Sequence, residues 1–102
     1  MLIDRMTTTV IASASGDEAG VAAATGLRLM GYSIKEMAAG VATLSLLNGA
    51  SSGGTALVHV NLAAAGSTVQ WFGPQGIPAD SGIWVERLTG STAVILYSKI
   101  VT

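Results

Sequence analysis

Short runs rich in Val, Ile, Leu, Thr and aromatic residues alternate along this chain with clusters of Gly, Ser, Asn and Pro. The runs are TTTVIA (7–12), LRLMGYSIKE (27–36), VATLSLLNG (41–49), TALVHVNLA (55–63), STVQWF (67–72), GIWVERL (82–88) and TAVILYSKIVT (92–102). Asn-Gly, Ser-Ser-Gly-Gly, Ala-Gly, Pro-Gln-Gly and Thr-Gly-Ser separate most of them, residues that suit tight reversals because they tolerate positive φ or fix φ in advance. About seven short strands spaced by roughly 8–12 residues predict an all-β chain, a compact antiparallel β-sandwich or small barrel. Between the first two runs lies SASGDEAGVAAATG (13–26), whose glycines leave any alanine helix too short to stand alone, so this stretch is expected to be loop.

Side chains alternate across a strand, so each run also predicts two faces. In 55–63, Ala56, Val58, Val60 and Leu62 form an apolar face, while Leu57, His59 and Asn61 form a mixed one. In the last run Val94, Leu96 and Ile100 oppose Ile95, Tyr97 and Val101. In 27–36, Leu27 and Leu29 oppose Met30, Tyr32 and Ile34. Both faces of these two strands are apolar, and one of them is expected to meet a second layer or a neighbouring subunit.

The stretch STVQWFGPQGIPADSGIWVE (67–86) carries three of the chain's aromatic residues: Trp71, Phe72 and Trp84. Gly73-Pro74-Gln75-Gly76 suits a type I turn, with Pro at its second position and Gly at its fourth, and Ile77, preceding Pro78, is pushed to extended geometry. Consecutive residues on a strand point apart. One of Trp71 and Phe72 therefore enters the core and the other faces outward.

Composition changes the picture from a self-sufficient domain to a component of something larger. At 102 residues the chain suits one domain with one modest core. It is 50% hydrophobic and only 11% charged, against about 25% charged in ordinary soluble domains. Such a surface is expected to be partly covered by other protein, most simply further copies of itself. The net charge is −1, and Arg5, Arg28, Lys35, Arg87 and Lys99 are scattered along the sequence. Nucleic-acid binding needs a concentrated positive patch and is disfavoured. No cysteine is present, so there is no disulfide framework, zinc-thiolate site or thiol nucleophile. The N-terminal MLIDRMTTTV does not read as a signal peptide, and no uninterrupted apolar run reaches the ~18 residues of a spanning helix; neither export by its own signal nor a membrane partner is expected. Leu2, Ile3 and Met6 make the N-terminus apolar. Residues 1–9 are expected to form an arm that orders on docking, ahead of a single β domain over 10–102.

Candidate chemistry is thin. His59 is the one histidine, and its strand offers only Asn61 on the same face, with Asp80 as a speculative partner brought near by folding. Asp17 and Glu18 are adjacent and point apart on an extended segment, and a calcium site wants more acidic oxygens than this loop supplies. Gly53-Gly54 lacks the Lys-Ser/Thr and following helix of a phosphate loop. Trp71 and Trp84 have the character of sugar-stacking platforms, but few Asp, Asn or Arg residues lie near them in sequence, so core or subunit packing is the reading adopted. No catalytic residue, cofactor or metal site is expected.

The segments RLMGYSIKE, ATLSLLNGASSGGTALVHVNLAAAGSTVQWFGPQGI and SGIWVERLTGSTAVILYS together resemble a group of small tailed-phage virion proteins. Those chains repeat an Arg-Leu-x-Gly-aromatic-Ser strand, an NGxSxGG hairpin, an LAAxGS turn and a closing GIxVExxxGS pair. The resemblance runs from Arg28 to about Ser98 and departs from the pattern at MAAGVATLSL, where related chains often carry a more charged strand. It implies a β-sandwich building block, a head decoration (cement) protein made in the host cytoplasm and placed on the outer surface of the virion. There a homotrimer would bridge subunits of the phage major capsid protein. The alternative is a phage tail or fibre-base component with a glycan-binding role. The residues expected at oligomer or capsid contacts are Leu2, Ile3, Tyr32, Trp71, Phe72, Trp84 and Tyr97.

Overall fold

The computed structural model describes residues 6–14 and 16–101. The described residues form nine strands: β1 (Thr7–Ala14), β2 (Glu18–Val21), β3 (Leu27–Glu36), β4 (Ala42–Asn48), β5 (Thr55–Leu62), β6 (Ser67–Trp71), β7 (Ile77–Pro78), β8 (Ile83–Thr89) and β9 (Thr92–Ile100). One antiparallel sheet has the order β1-β9-β3-β6, with β7 also pairing β3; the other has the order β2-β8-β4-β5. The chain crosses repeatedly from one sheet to the other, and these two strand orders are those of a jelly roll, in which two interlocked Greek keys face each other across a single core. The fold is an all-β antiparallel sandwich, and the runs read from the sequence fall on β1, β3, β4, β5, β6, β8 and β9.

The core lies between the sheets. Ile11, Leu27, Leu29, Tyr32, Ile34, Val94 and Leu96 come from the first sheet, and Ala42, Leu44, Leu46, Val60, Leu62, Ile83 and Val85 from the second. On β5 the apolar face holds for Val58, Val60 and Leu62. Pairing with β4 slips between Leu46 and Leu47, across the step from Val58 to Ala56. Leu57 thereby packs against the core and Ala56 is exposed.

Strict alternation fails on β3 as well, and there the consequence is larger. Pairing with β9 slips between Leu29 and Gly31, so Met30 is an extra residue that reverses the phase. Leu27, Leu29, Tyr32 and Ile34 all join the core, correcting the expectation that the first two oppose the last two. Met30 is buried outside that cluster, under the 73–76 turn, where a methyl group added to Gly76 would sit 2.6 Å from its Sδ. That turn is closed by the Gly76 amide donating to the Gly73 carbonyl at 3.3 Å. Ile77 is extended as expected, and it pairs with Leu29.

Residues 18–21 were expected to be loop and are instead the edge strand β2, paired with β8. A side chain at Gly20 would meet Leu96 Cδ1 at 2.6 Å and the Ile83 carbonyl at 2.9 Å. The strand passes too close to the core at Gly20 for any side chain there, which weakened the compositional sign of a strand. At the N-terminus, Thr7, Thr8 and Thr9 pair with Ser98, Tyr97 and Leu96. The last three residues of the expected arm are therefore part of the domain, while Leu2 and Ile3 lie outside the described residues.

Candidate interaction surface

Register places a coherent surface on the outer side of the β1-β9-β3-β6 sheet. One cross-strand row reads Thr8, Tyr97, Gly31, Trp71, and the next Val10, Ile95, Ser33, Val69. Val10 is 72% exposed, Val69 71% and Trp71 51%, with Ile95 and Tyr97 half-buried between them. Gly31 makes the first row possible. A Cβ there would lie 2.4 Å from the Gln70 carbonyl oxygen and 3.3 Å from Trp71 Cε3, so the indole leans over a strand position with no side chain.

Charge flanks these apolar rows on both sides. Arg28 pairs with Lys99 beyond the Tyr97 row, and Lys35 pairs with Ala93 and Ser67 beyond the Ile95 row. The 73–76 turn holds the first two: Arg28 Nη1 donates to the Gln75 carbonyl at 3.1 Å and Lys99 Nζ to the Pro74 carbonyl at 2.8 Å. Lys35 is exposed.

Trp71 and Phe72 do point apart. Phe72 packs against the core, its ring 5.9 Å from that of Tyr32 and tilted by 55°. Tyr32 is only 6% exposed, so the expectation that it contacts a partner is corrected: it is a core residue, and burial pushes its phenol above the ordinary range. Phe72 is half-buried against the same core. Trp84 lies on the opposite outer face, across from Ala19 and Leu47, and its Nε1 donates to Asp17 Oδ2 at 3.3 Å. The expected contact residues are thus divided: Trp71 and Tyr97 share one surface, Trp84 belongs to the other, and Tyr32 and Phe72 lie inward.

On Trp84's face, Ser45 lies between Glu86 and His59 in one cross-strand row, and Ser45 Oγ is 2.9 Å from His59 Nδ1. The bonded partner of His59 is therefore this serine, and Asp80 sits in the 79–82 turn, its carbonyl accepting from the Ala24 amide. Asp17 and Glu18 diverge as adjacency requires, the first to Trp84 and the second to Arg87. Among the described residues, no group of three His, Asp or Glu side chains gathers to hold a metal ion.

Two buried charged residues escaped the sequence reading. Arg87, 5% exposed, donates to Thr92 Oγ1 at 2.9 Å, the Thr92 carbonyl at 3.0 Å, the Gly16 carbonyl at 3.3 Å and Glu18 Oε2 at 2.9 Å. Its position was legible, since alternation in GIWVERL places it with Ile83 and Val85. Glu36, 2% exposed, accepts from the amides of Ala65 at 2.8 Å, Ala38 at 2.5 Å and Gly40 at 3.2 Å. It thereby ties together two turns, each with an alanine at φ 58°, Ala39 and Ala65. The Ala65 amide above all, then those of Ala38, Gly40 and Ala39, hold the carboxyl below the ordinary glutamate range against the opposing effect of burial.

Compared with known proteins, the chain matches no family model and no curated sequence.

Proposed function

We propose that this chain is a structural virion protein: a capsid decoration protein that works as a homotrimer on the outer surface of a phage head and stabilises it by bridging major capsid subunits. The observation that carries this reading is the outer face of the β1-β9-β3-β6 sheet. The core is already filled by the inner faces of both sheets, yet Val10, Val69 and Trp71 stand more than half exposed in the same cross-strand rows as Ile95 and Tyr97. Apolar surface beyond what the core uses marks a contact with other protein. A jelly roll supports the reading in a general way, since capsid and lectin domains both use it, but the fold alone does not select a function.

The mechanism is mechanical. Each copy adds contact area across a subunit boundary, and repetition around a shell turns modest individual contacts into strong retention. Quantitative mass spectrometry of purified particles tests this: the chain is expected at a fixed stoichiometry to the major capsid protein, and its absence from particles refutes the assignment. The exposed Trp71 favours one second reading, a tail or fibre-base component that stacks a glycan. Sugar-dependent change in Trp71 fluorescence, with no affinity for heads, would select that reading.

A further inference from the structure

We infer that the outer face of the β1-β9-β3-β6 sheet is the docking face and that it takes an anionic protein surface with an apolar centre, the opposite face being left outward. The inference rests on the assembly reading above and names the chemistry of its partner. Charge is sorted between the two outer faces. Arg5 lies outside the described residues and Arg87 is buried, and the remaining basic residues, Arg28, Lys35 and Lys99, all belong to the docking face. Among the described residues, no Asp or Glu stands in its rows. The other face carries Glu86, with Asp17 bonded to Trp84.

This arrangement is cationic at both ends and apolar in the middle, so it complements a partner with carboxylates around an apolar patch. A second copy meeting it face to face would oppose like charges. A second copy offering its Glu86 face would match in sign, but the two outer faces of a sandwich point in opposite directions, so such stacking runs on as an open column. Four strands at about 4.8 Å and four rows at about 6.8 Å cover roughly 500 Å² of plane, a compact footprint whose repetition across a shell supplies avidity. Such a face suits many copies docking on a repeated surface. Val10 and Val69 favour protein over a polyanionic chain, because stacking on Trp71 would leave both valines wet.

The two tryptophans report the two faces separately. The probe is shells assembled from the major capsid protein of the virus encoding this chain. In Trp84→Phe, the emission of Trp71 is expected to shift to the blue and lose iodide quenching on binding, whereas in Trp71→Phe the emission of Trp84 is expected to stay unchanged. Lys35→Glu, checked by its circular dichroism melt, is expected to weaken binding about fivefold, and Glu86→Lys not to weaken it. Added salt should loosen the complex. Binding that leaves Trp71 quenchable and is indifferent to Lys35→Glu overturns the inference while leaving the decoration reading intact. No binding to shells at low salt overturns both. Protection of Trp71 in the free chain, through self-association or through added polysaccharide, also overturns it.

Discussion

Replacing Arg87 by Met keeps much of the side-chain volume but removes every donor, which isolates what the guanidinium does between the sheets. Thr92 is 1% exposed and presents both its hydroxyl and its carbonyl to Arg87. Each buried acceptor that loses a charged donor costs about 1–3 kcal/mol. The Glu18 side chain is 37% exposed, so its ion pair contributes about 0.5 kcal/mol at most after solvent screening. Together these give a loss of roughly 3 kcal/mol, which for a domain of this size lowers Tm by roughly 15 °C. Thermal melts and urea titrations followed by circular dichroism measure it, with Glu18→Gln as the comparison, expected to shift Tm by only about 2–3 °C. An Arg87→Met variant that melts within about 5 °C of the parent, or a Glu18→Gln variant that loses as much as Arg87→Met, would refute this role for the guanidinium. The second result would mean that the ion pair, not the anchoring of backbone and hydroxyl acceptors, is what Arg87 supplies.

Glu36 has a lowered folded pKa, so its stabilisation is present in full above the ordinary glutamate range and is lost as pH falls through that range toward the lowered value. Urea titrations across pH should therefore show Glu36→Gln less stable than the parent at neutral pH, with the gap narrowing in acid; a gap constant with pH would refute it. Gly31→Ala places a methyl against the Gln70 carbonyl and should destabilise by about 2 kcal/mol while displacing β6, read as a change in Trp71 emission. In the isolated chain iodide should quench Trp71 more than Trp84, since the first is 51% exposed and the second is only partly so. Equal quenching of single-tryptophan variants would contradict the greater exposure of Trp71.

Most of the strands were legible because each combines period-two alternation with Gly, Asn or Pro punctuation. The ones missed lack those signs for identifiable reasons. β2 is Glu-Ala-Gly-Val, and its glycine is demanded by the approach to Leu96 and Ile83. β7 has two residues, one a proline, and exists because the 73–76 turn folds back over Met30. Slips in register are invisible to composition, since the extra residues Met30 and Leu57 are ordinary strand formers.

The surface depends on one of those slips. Continued from Leu27 and Leu29, strict alternation would place Lys35 toward the core and Glu36 on the outer face. That arrangement would bury an amine among Leu and Ile side chains and set a carboxylate beside the apolar rows. The extra residue at Met30 exchanges the two. Glu36 turns inward, where the amides of Ala38, Gly40 and Ala65 require an acceptor, and Lys35 turns outward, completing a face whose charges among the described residues are all positive. The same slip brings Gly31 rather than a side chain to the position between Tyr97 and Trp71, opening the room into which the indole leans. A single inserted residue thus sets the sign of the surface, the fit of its aromatic row and the closure of two turns at one end of the sandwich. This outer face could therefore be read only from the paired structure, although every residue that builds it stood in plain view in the sequence.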